Sequence, residues 1–346
     1  MARDHLGLLL AGLAAGDSLG STSEYMLHEE IIGLYGQYGP KGWPFRHVGG
    51  GHFLWMPGEP TDDAQMAACM VRSYLKHGKF VPEHVAEQFV EWAMSCPRSI
   101  GATTVRGLGS IALGTPWYEG GLEDFTSRPA NTTNGSLMRN GVVPGFAESI
   151  EDAFRMSLCH GIMTHYAPLS VLCCAIQTWA IWEFLQGRNP FGENWLQQFW
   201  RLWIEWYKNT RDDTIIDSWS TSIAEQYPKA YKALLDADFN HESFSPFKHK
   251  AGGDAGSVLL TLQTALWGVQ WSLSEDAYPV PDGFPAEVFD RRGPWVLGWI
   301  AMTGGDTGTY CSTAGPIIAA AHGSLPPEFV QGLEILKEFK GLIPGL

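Results

Sequence analysis

Apolar residues recur along most of this chain at helical spacing, with few strand-like alternations. Leu6, Leu9, Leu10 and Leu13 fall on one helical face near the start. Ala64, Ala67, Ala68, Val71 and Leu75 sit at i, i+3, i+4, i+7 and i+11. The first pattern predicts a helix over 4–15, broken at Gly16. The second predicts a helix with Thr61 as its N-cap, Asp62 and Asp63 in its first turn and Gly78 at its end. Further helices are expected over 82–94, 103–113, 150–158, 170–184, 216–235, 258–271, 295–301 and 314–321, the last kinked or irregular at Pro316. Trp195, Phe199, Leu202, Trp203 and Trp206 repeat on one face of another helix, which assigns them to a core. The stretch 33–60 holds Gly39-Pro40, Trp43-Pro44 and Gly49-Gly50-Gly51 and reads as a long ordered loop. Together these elements predict an all-α fold in one compact domain spanning 1–346.

Composition narrows the function classes. The chain has 346 residues, 45% of them hydrophobic and 17% charged, with a formal net charge of -14. An acidic surface of this kind disfavours non-specific nucleic-acid binding, which needs clustered Lys and Arg. Interspersed acids likewise argue against base stacking on the tryptophan-rich helix. The six cysteines form no C-x-x-C pair, which suits reduced thiols in a cytoplasmic protein. The apolar run 6–15 behind Arg3 has the outline of a weak signal peptide, but Asp4 and Asp17 flank it and it reads as a buried first helix. No stretch is expected to cross a membrane.

Candidate chemistry sits at helix starts. Gly58-Glu59-Pro60-Thr61-Asp62-Asp63 has two readings: simple capping, or a compact set of hard oxygen donors suited to magnesium, manganese or calcium. Thr303-Gly304-Gly305-Asp306-Thr307-Gly308-Thr309 repeats the theme near the other end of the chain. A pocket where two such helix starts converge would suit magnesium. Asp17 and Glu24 follow the first helix, either as turn formers or as site residues. The polar stretch 131–140 is a surface turn or a binding loop, and Gly135-Ser136 could open a helix and offer N–H groups to an anion. His160 and His165 are five apart, off one helical face, so His165 reads first as a cap or a core hydrogen-bonding residue. Ala251-Gly252-Gly253-Asp254-Ala255-Gly256 is a glycine-rich helix entry. It lacks the Lys of a phosphate-binding P-loop and the preceding strand of a dinucleotide site.

Taken in order, these motifs resemble the ADP-ribosylglycohydrolases, the family that includes the hydrolase of ADP-ribosylated dinitrogenase reductase and the ADP-ribosylarginine hydrolases. The resemblance runs through Gly16-Asp17-Ser18-Leu19-Gly20 with Glu24, Thr61-Asp62-Asp63, Asn134-Gly135-Ser136-Leu137-Met138-Arg139, Thr164-His165, the helix 257–267 and the 303–309 motif. It implies a single all-α domain with two magnesium ions, or manganese, at the bottom of an ADP-ribose cleft. By resemblance, Thr61, Asp62, Asp63, Asp306 and Thr309 would be metal ligands. Glu24, with Asp62, Asp63 and Asp306, would serve catalysis. Gly49, Gly50, Gly51, Asn134, Gly135, Ser136, Met138, Arg139 and His165 would line the substrate cleft. The implied reaction is hydrolysis of the bond between ADP-ribose and a protein arginine. The implied partner is an ADP-ribosylated protein or free ADP-ribose, with no nucleic acid and no membrane. One departure stands out: Gly308 replaces the acid of the family's G-G-D-x-D-T pattern. That removes one ligand. It implies a weakened second metal site, compensation by a residue such as Asp254, or a relative that binds ADP-ribose or a partner protein without turnover.

Overall fold

Two helices far apart in sequence touch backbone to backbone, and the rest of the molecule is built around them. The computed structural model describes residues 2–210, 212–248 and 256–346. The glycine-rich entry at 251–255, with Asp254, lies outside the described residues. The longer helices are α1 (Ala2–Gly20), α2 (His28–Tyr38), α3 (Asp62–His77), α4 (Pro82–Met94), α5 (Ala102–Ala112) and α6 (Ile150–Ile162). They continue with α7 (Pro168–Leu185), α8 (Trp195–Asn209), α9 (Thr214–Ser222), α10 (Tyr227–Asp236), α11 (Val258–Leu273) and α12 (Thr307–His322). Only isolated bridges, such as Gly50 with Trp55 and Thr133 with Ser257, occur among the described residues. The fold is an all-helical, compact single domain.

The most extensive helix pair is α1 against α12. Gly12, Gly16 and Gly20 form a stripe on α1. A Cβ on Gly16 would lie 2.0 Å from the Cys311 carbonyl oxygen, and one on Gly20 would lie 2.0 Å from that of Thr307. On the α12 side, a Cβ on Gly315 would lie 2.0 Å from the Gly12 carbonyl oxygen. Only glycine lets the backbones approach this closely. The helix expected to break at Gly16 therefore continues to Gly20, because Gly16 serves packing and not termination. α7 and α11 also pack on α12, leaving it buried along most of its length. α12 starts at Thr307, earlier than the spacing suggested, and keeps Pro316 inside it. Near that proline, Gln177 Nε2 donates to the Thr313 carbonyl at 2.9 Å.

Three other expectations shift. The segment read as loop from residue 33 begins as helix α2, and the irregular chain follows it. The single helix expected over 216–235 is two helices, α9 and α10. On α8, Phe199, Trp203 and Trp206 are buried as expected, but Leu202 is 37% exposed and belongs to another face. By length and composition alone, α7 is long and apolar enough to cross a membrane, contrary to expectation. Its apolar residues face protein on nearly every side, as in a central core helix.

Replacing Gly16 with Ala should destabilise the protein by about 3 kcal/mol, because a backbone must move. Gly36→Ala is the control: it lies inside α2 with open space around it and should gain about 0.5–1 kcal/mol. Urea denaturation of the two variants checks this, and equal effects would contradict the close crossing.

Candidate active site

The same crossing sets the site, because it brings the end of α1 to the start of α12. Asp17 lies in the last turn of α1 and is fully buried. Its carboxylate accepts hydrogen bonds from Thr61 N at 2.8 Å, Ala64 N at 3.2 Å and Thr61 Oγ1 at 2.6 Å. Asp17 thus fastens the start of α3 to α1. Thr61 is the N-cap, its Oγ1 accepting from Asp63 N at 3.3 Å, which sets Asp62 and Asp63 in the first turn. Asp306 caps α12 in the same way, accepting from Thr309 N at 3.3 Å. Positive helix ends favour carboxylates at both places. Glu24 follows α1 in a turn held by Tyr25 N donating to the Gly305 carbonyl at 2.7 Å.

A cavity of about 630 Å³ opens over these groups. Glu24, Asp62, Asp63, Asp306 and Thr309 line one part of it, and Asn134, Gly135, Met138 and His165 line another. Asn134 bridges the two parts: its Nδ2 donates to Asp306 Oδ2 at 2.8 Å and to Thr261 Oγ1 at 2.9 Å. Thr309 and Ser312 hydroxyls approach Asp63 Oδ2 at 3.5 and 3.4 Å.

Other predicted site residues sit elsewhere. The Thr61 hydroxyl faces Asp17 and is not part of the cavity wall. Ser136 is fully buried and accepts from Cys174 Sγ at 3.5 Å. Arg139 is fully buried behind the wall, its guanidinium stacked on the Phe89 ring at 4.7 Å. Gly49, Gly50 and Gly51 shape a tight hairpin outside the wall. Gly50 pairs with Trp55 (2.7 and 2.8 Å), and a Cβ on Gly51, at φ +69°, would lie 2.1 Å from the Ser21 carbonyl oxygen. That hairpin instead sends Phe53 into the cavity.

Sequence reading missed the basic side of the cavity, formed by Arg98, Arg106 and Arg128. Arg106 and Arg128 both pair with buried Asp124. No motif marks them, because α5 and two separate turns supply one each. Ser99, which lines the same cavity, was missed as well.

The acidic side is electrostatically crowded. Burial pushes the Asp17 carboxyl up to about 7, against the opposing pull of Thr61. Burial, then the charges of Asp306 and Asp62, raises Glu24 well above the ordinary glutamate range. Burial, then Asp17 and Asp62, does the same to Asp63. Asp62 and Asp306 are raised too, chiefly by desolvation. The negative charge of Asp306 raises the Tyr25 phenol. None of the ion pairs among the described residues involves these carboxylates. Among the described residues, no three His, Cys, Asp or Glu side chains already form a metal cage. Gly308 faces this cluster: a Cβ there would lie 3.6 Å from the Glu24 carboxylate, an ordinary contact.

Known proteins resemble this chain in sequence and fold. The chain is 28% identical over 280 residues to the ADP-ribosyl-[dinitrogen reductase] glycohydrolase of Rhodospirillum rubrum, covering 76% of this chain and 85% of that one. It is 29% identical over 336 residues to the ADP-ribosylarginine hydrolase Tri1 of Pseudomonas putida, covering 93% and 72%. A solved structure titled "ADP-ribosylglycohydrolase-related protein complex" shares the fold, with a TM-score of 0.62 at 19% identity over 99% of this chain and 96% of that one. The sequence profile of the ADP-ribosylglycohydrolases matches residues 3–344, and the chain belongs to that family.

Proposed function

We propose that this protein hydrolyses the N-glycosidic bond between ADP-ribose and a modified protein arginine, at a centre that holds two magnesium ions. The observation that carries this reading is the convergence of Glu24, Asp62, Asp63 and Asp306 on one cavity, with no basic ion-pair partner among the described residues. Crowded carboxylates that raise one another's pKa fit a divalent cation, and hard oxygen donors select magnesium or manganese. Asp62 and Asp63 would hold ions from the α3 side, and Asp306 and Thr309 from the α12 side. Bound there, the ions would supply positive charge for ribose hydroxyls and for an attacking water.

The chain's own groups do the rest. Asn134 orients Asp306. Asp17 holds Thr61 and, through it, the start of α3. Glu24 faces the same cavity and would hold or accept a proton there. Phe53 and Tyr25 narrow the water-accessible volume beside it. Arginine as the leaving group is supported by the activity named for the Pseudomonas relative.

Gly308 favours a second reading, in which the site binds ADP-ribose with little turnover. Gly308→Asp separates the two. A Cβ at position 308 would meet the Glu24 carboxylate at an ordinary contact distance of 3.6 Å. The variant should bind magnesium more tightly and raise turnover if only a ligand is missing. Unchanged turnover at higher magnesium affinity would favour the binding role.

For the wild type, magnesium should drive release of free ADP-ribose from arginine-modified protein, and chelation should stop it. Asp306→Asn should lower kcat/KM by about 10²–10³-fold. No release at saturating magnesium would contradict the hydrolase reading.

The crowding also makes a stability prediction. A carboxyl whose folded pKa is raised contributes most below its unfolded value, about 4, and that contribution is lost as pH rises through the folded value. Asp63→Asn removes one such group. In chelator, this variant should melt above wild type at about pH 8, with the gain shrinking toward about pH 4. Magnesium should reverse the order at the higher pH. Thermal melts at both pH values check this, and a lower melting point for the metal-free variant at the higher pH would contradict it.

A further inference from the structure

Behind the cavity wall, Arg139 carries a positive charge with no carboxylate among its hydrogen-bond partners in the described residues. Its donors go to the carbonyls of Gly135 at 3.0 Å and His160 at 2.9 Å, to Thr164 Oγ1 at 2.7 Å and to His160 Nδ1 at 3.4 Å, with Met66 Sδ at 3.5 Å. An arginine has no acceptor, so every group facing it must accept. His160 therefore keeps Nδ1 bare and donates from Nε2 to Asn140 Oδ1, 2.8 Å away.

The same accounting settles His165. Thr164 Oγ1 accepts from Arg139, and among the described residues the one acceptor within reach of its own proton is His165 Nδ1 at 2.8 Å. That nitrogen accepts, and the ring proton sits on Nε2. The Nε2 edge lies against Gly135, where a Cβ would stand 3.0 Å from the nitrogen and 2.8 Å from Cε1. His165 lines the cavity, and among the described residues no protein acceptor takes the Nε2 proton. Arg106 and Arg128 line the same cavity, and the Arg106 charge reaches the His165 ring, so an anionic phosphate is the ligand group that suits this donor.

We infer that Arg139, acting through Thr164, is a positioning residue that fixes His165 as a neutral Nε2–H donor for a phosphate oxygen of the bound nucleotide. Burial and the Arg139 charge also push the imidazole down to about 3, which keeps the ring neutral at working pH. The ligand half of this inference rests on the ADP-ribose reading; the tautomer does not.

The test is nitrogen NMR of histidine-labelled protein, with His165→Asn assigning the resonance and ADP titrated as the phosphate-bearing probe. Wild type should show His165 with Nε2 protonated and Nδ1 bare from about pH 5 to 8, the range in which free histidine titrates. Thr164→Val should shift the ring toward the Nδ1-protonated form and weaken ADP binding about tenfold, or ~1.4 kcal/mol. Thr164→Ser should preserve both. Because the serine variant keeps the hydroxyl, it separates the relay from a general loss of packing. A protonated Nδ1 in wild type would overturn the relay, as would a valine variant that keeps both tautomer and affinity. A wild type with the expected tautomer that binds neither ADP nor ADP-ribose would overturn the ligand half and the nucleotide reading together, and leave the relay standing.

Discussion

The close approach of α1 and α12 is the constraint on which the rest depends. It requires glycine at 12, 16, 20 and 315, because any side chain there would strike backbone. Once the helices meet, the end of α1 delivers Asp17 and Glu24 to the start of α12, which carries Asp306 and Thr309. Asp17 then recruits the start of α3 through Thr61 and Ala64. Residues separated by nearly the whole chain thus share one cavity, and buried apolar helices hold them in place. A carboxylate cluster this crowded works against folding on its own. The extensive core around α7, α11 and α12 is what allows it to persist.

The cavity has two electrostatic sides. Carboxylates from α3, α12 and the turn after α1 make one side acidic. Arginines from α5 and from the turns at 98 and 128 make another side basic, in a protein that is acidic overall. On the proposed reading, a diphosphate would lie on the basic side and the metal ions on the acidic one. Buried Arg139 stands outside it and acts on the wall's geometry, not on a ligand.

Much of this was legible in the sequence, for reasons that are local. Thr61-Asp62-Asp63 before an apolar period of 3.6 residues marks a capped helix start, and the structure has that cap. The boundaries of α4 follow from Pro82 and the apolar face behind it. What was not legible depends on partners distant in the chain. Gly16 reads as a breaker until α12 is seen lying on it. Arg139 reads as a cleft residue until its guanidinium is found spent on His160, Thr164 and Gly135. The three glycines at 49–51 read as part of an ordered loop lining a cleft, whereas their positive φ values build the hairpin that presents Phe53.

The most direct test of the carboxylate centre is anomalous diffraction from crystals grown with manganese, which substitutes for magnesium at hard oxygen sites. The site described here predicts anomalous density between Asp62 and Asp63 on one side and Asp306 and Thr309 on the other. Density confined to other surface carboxylates, or none at saturating manganese, would contradict it.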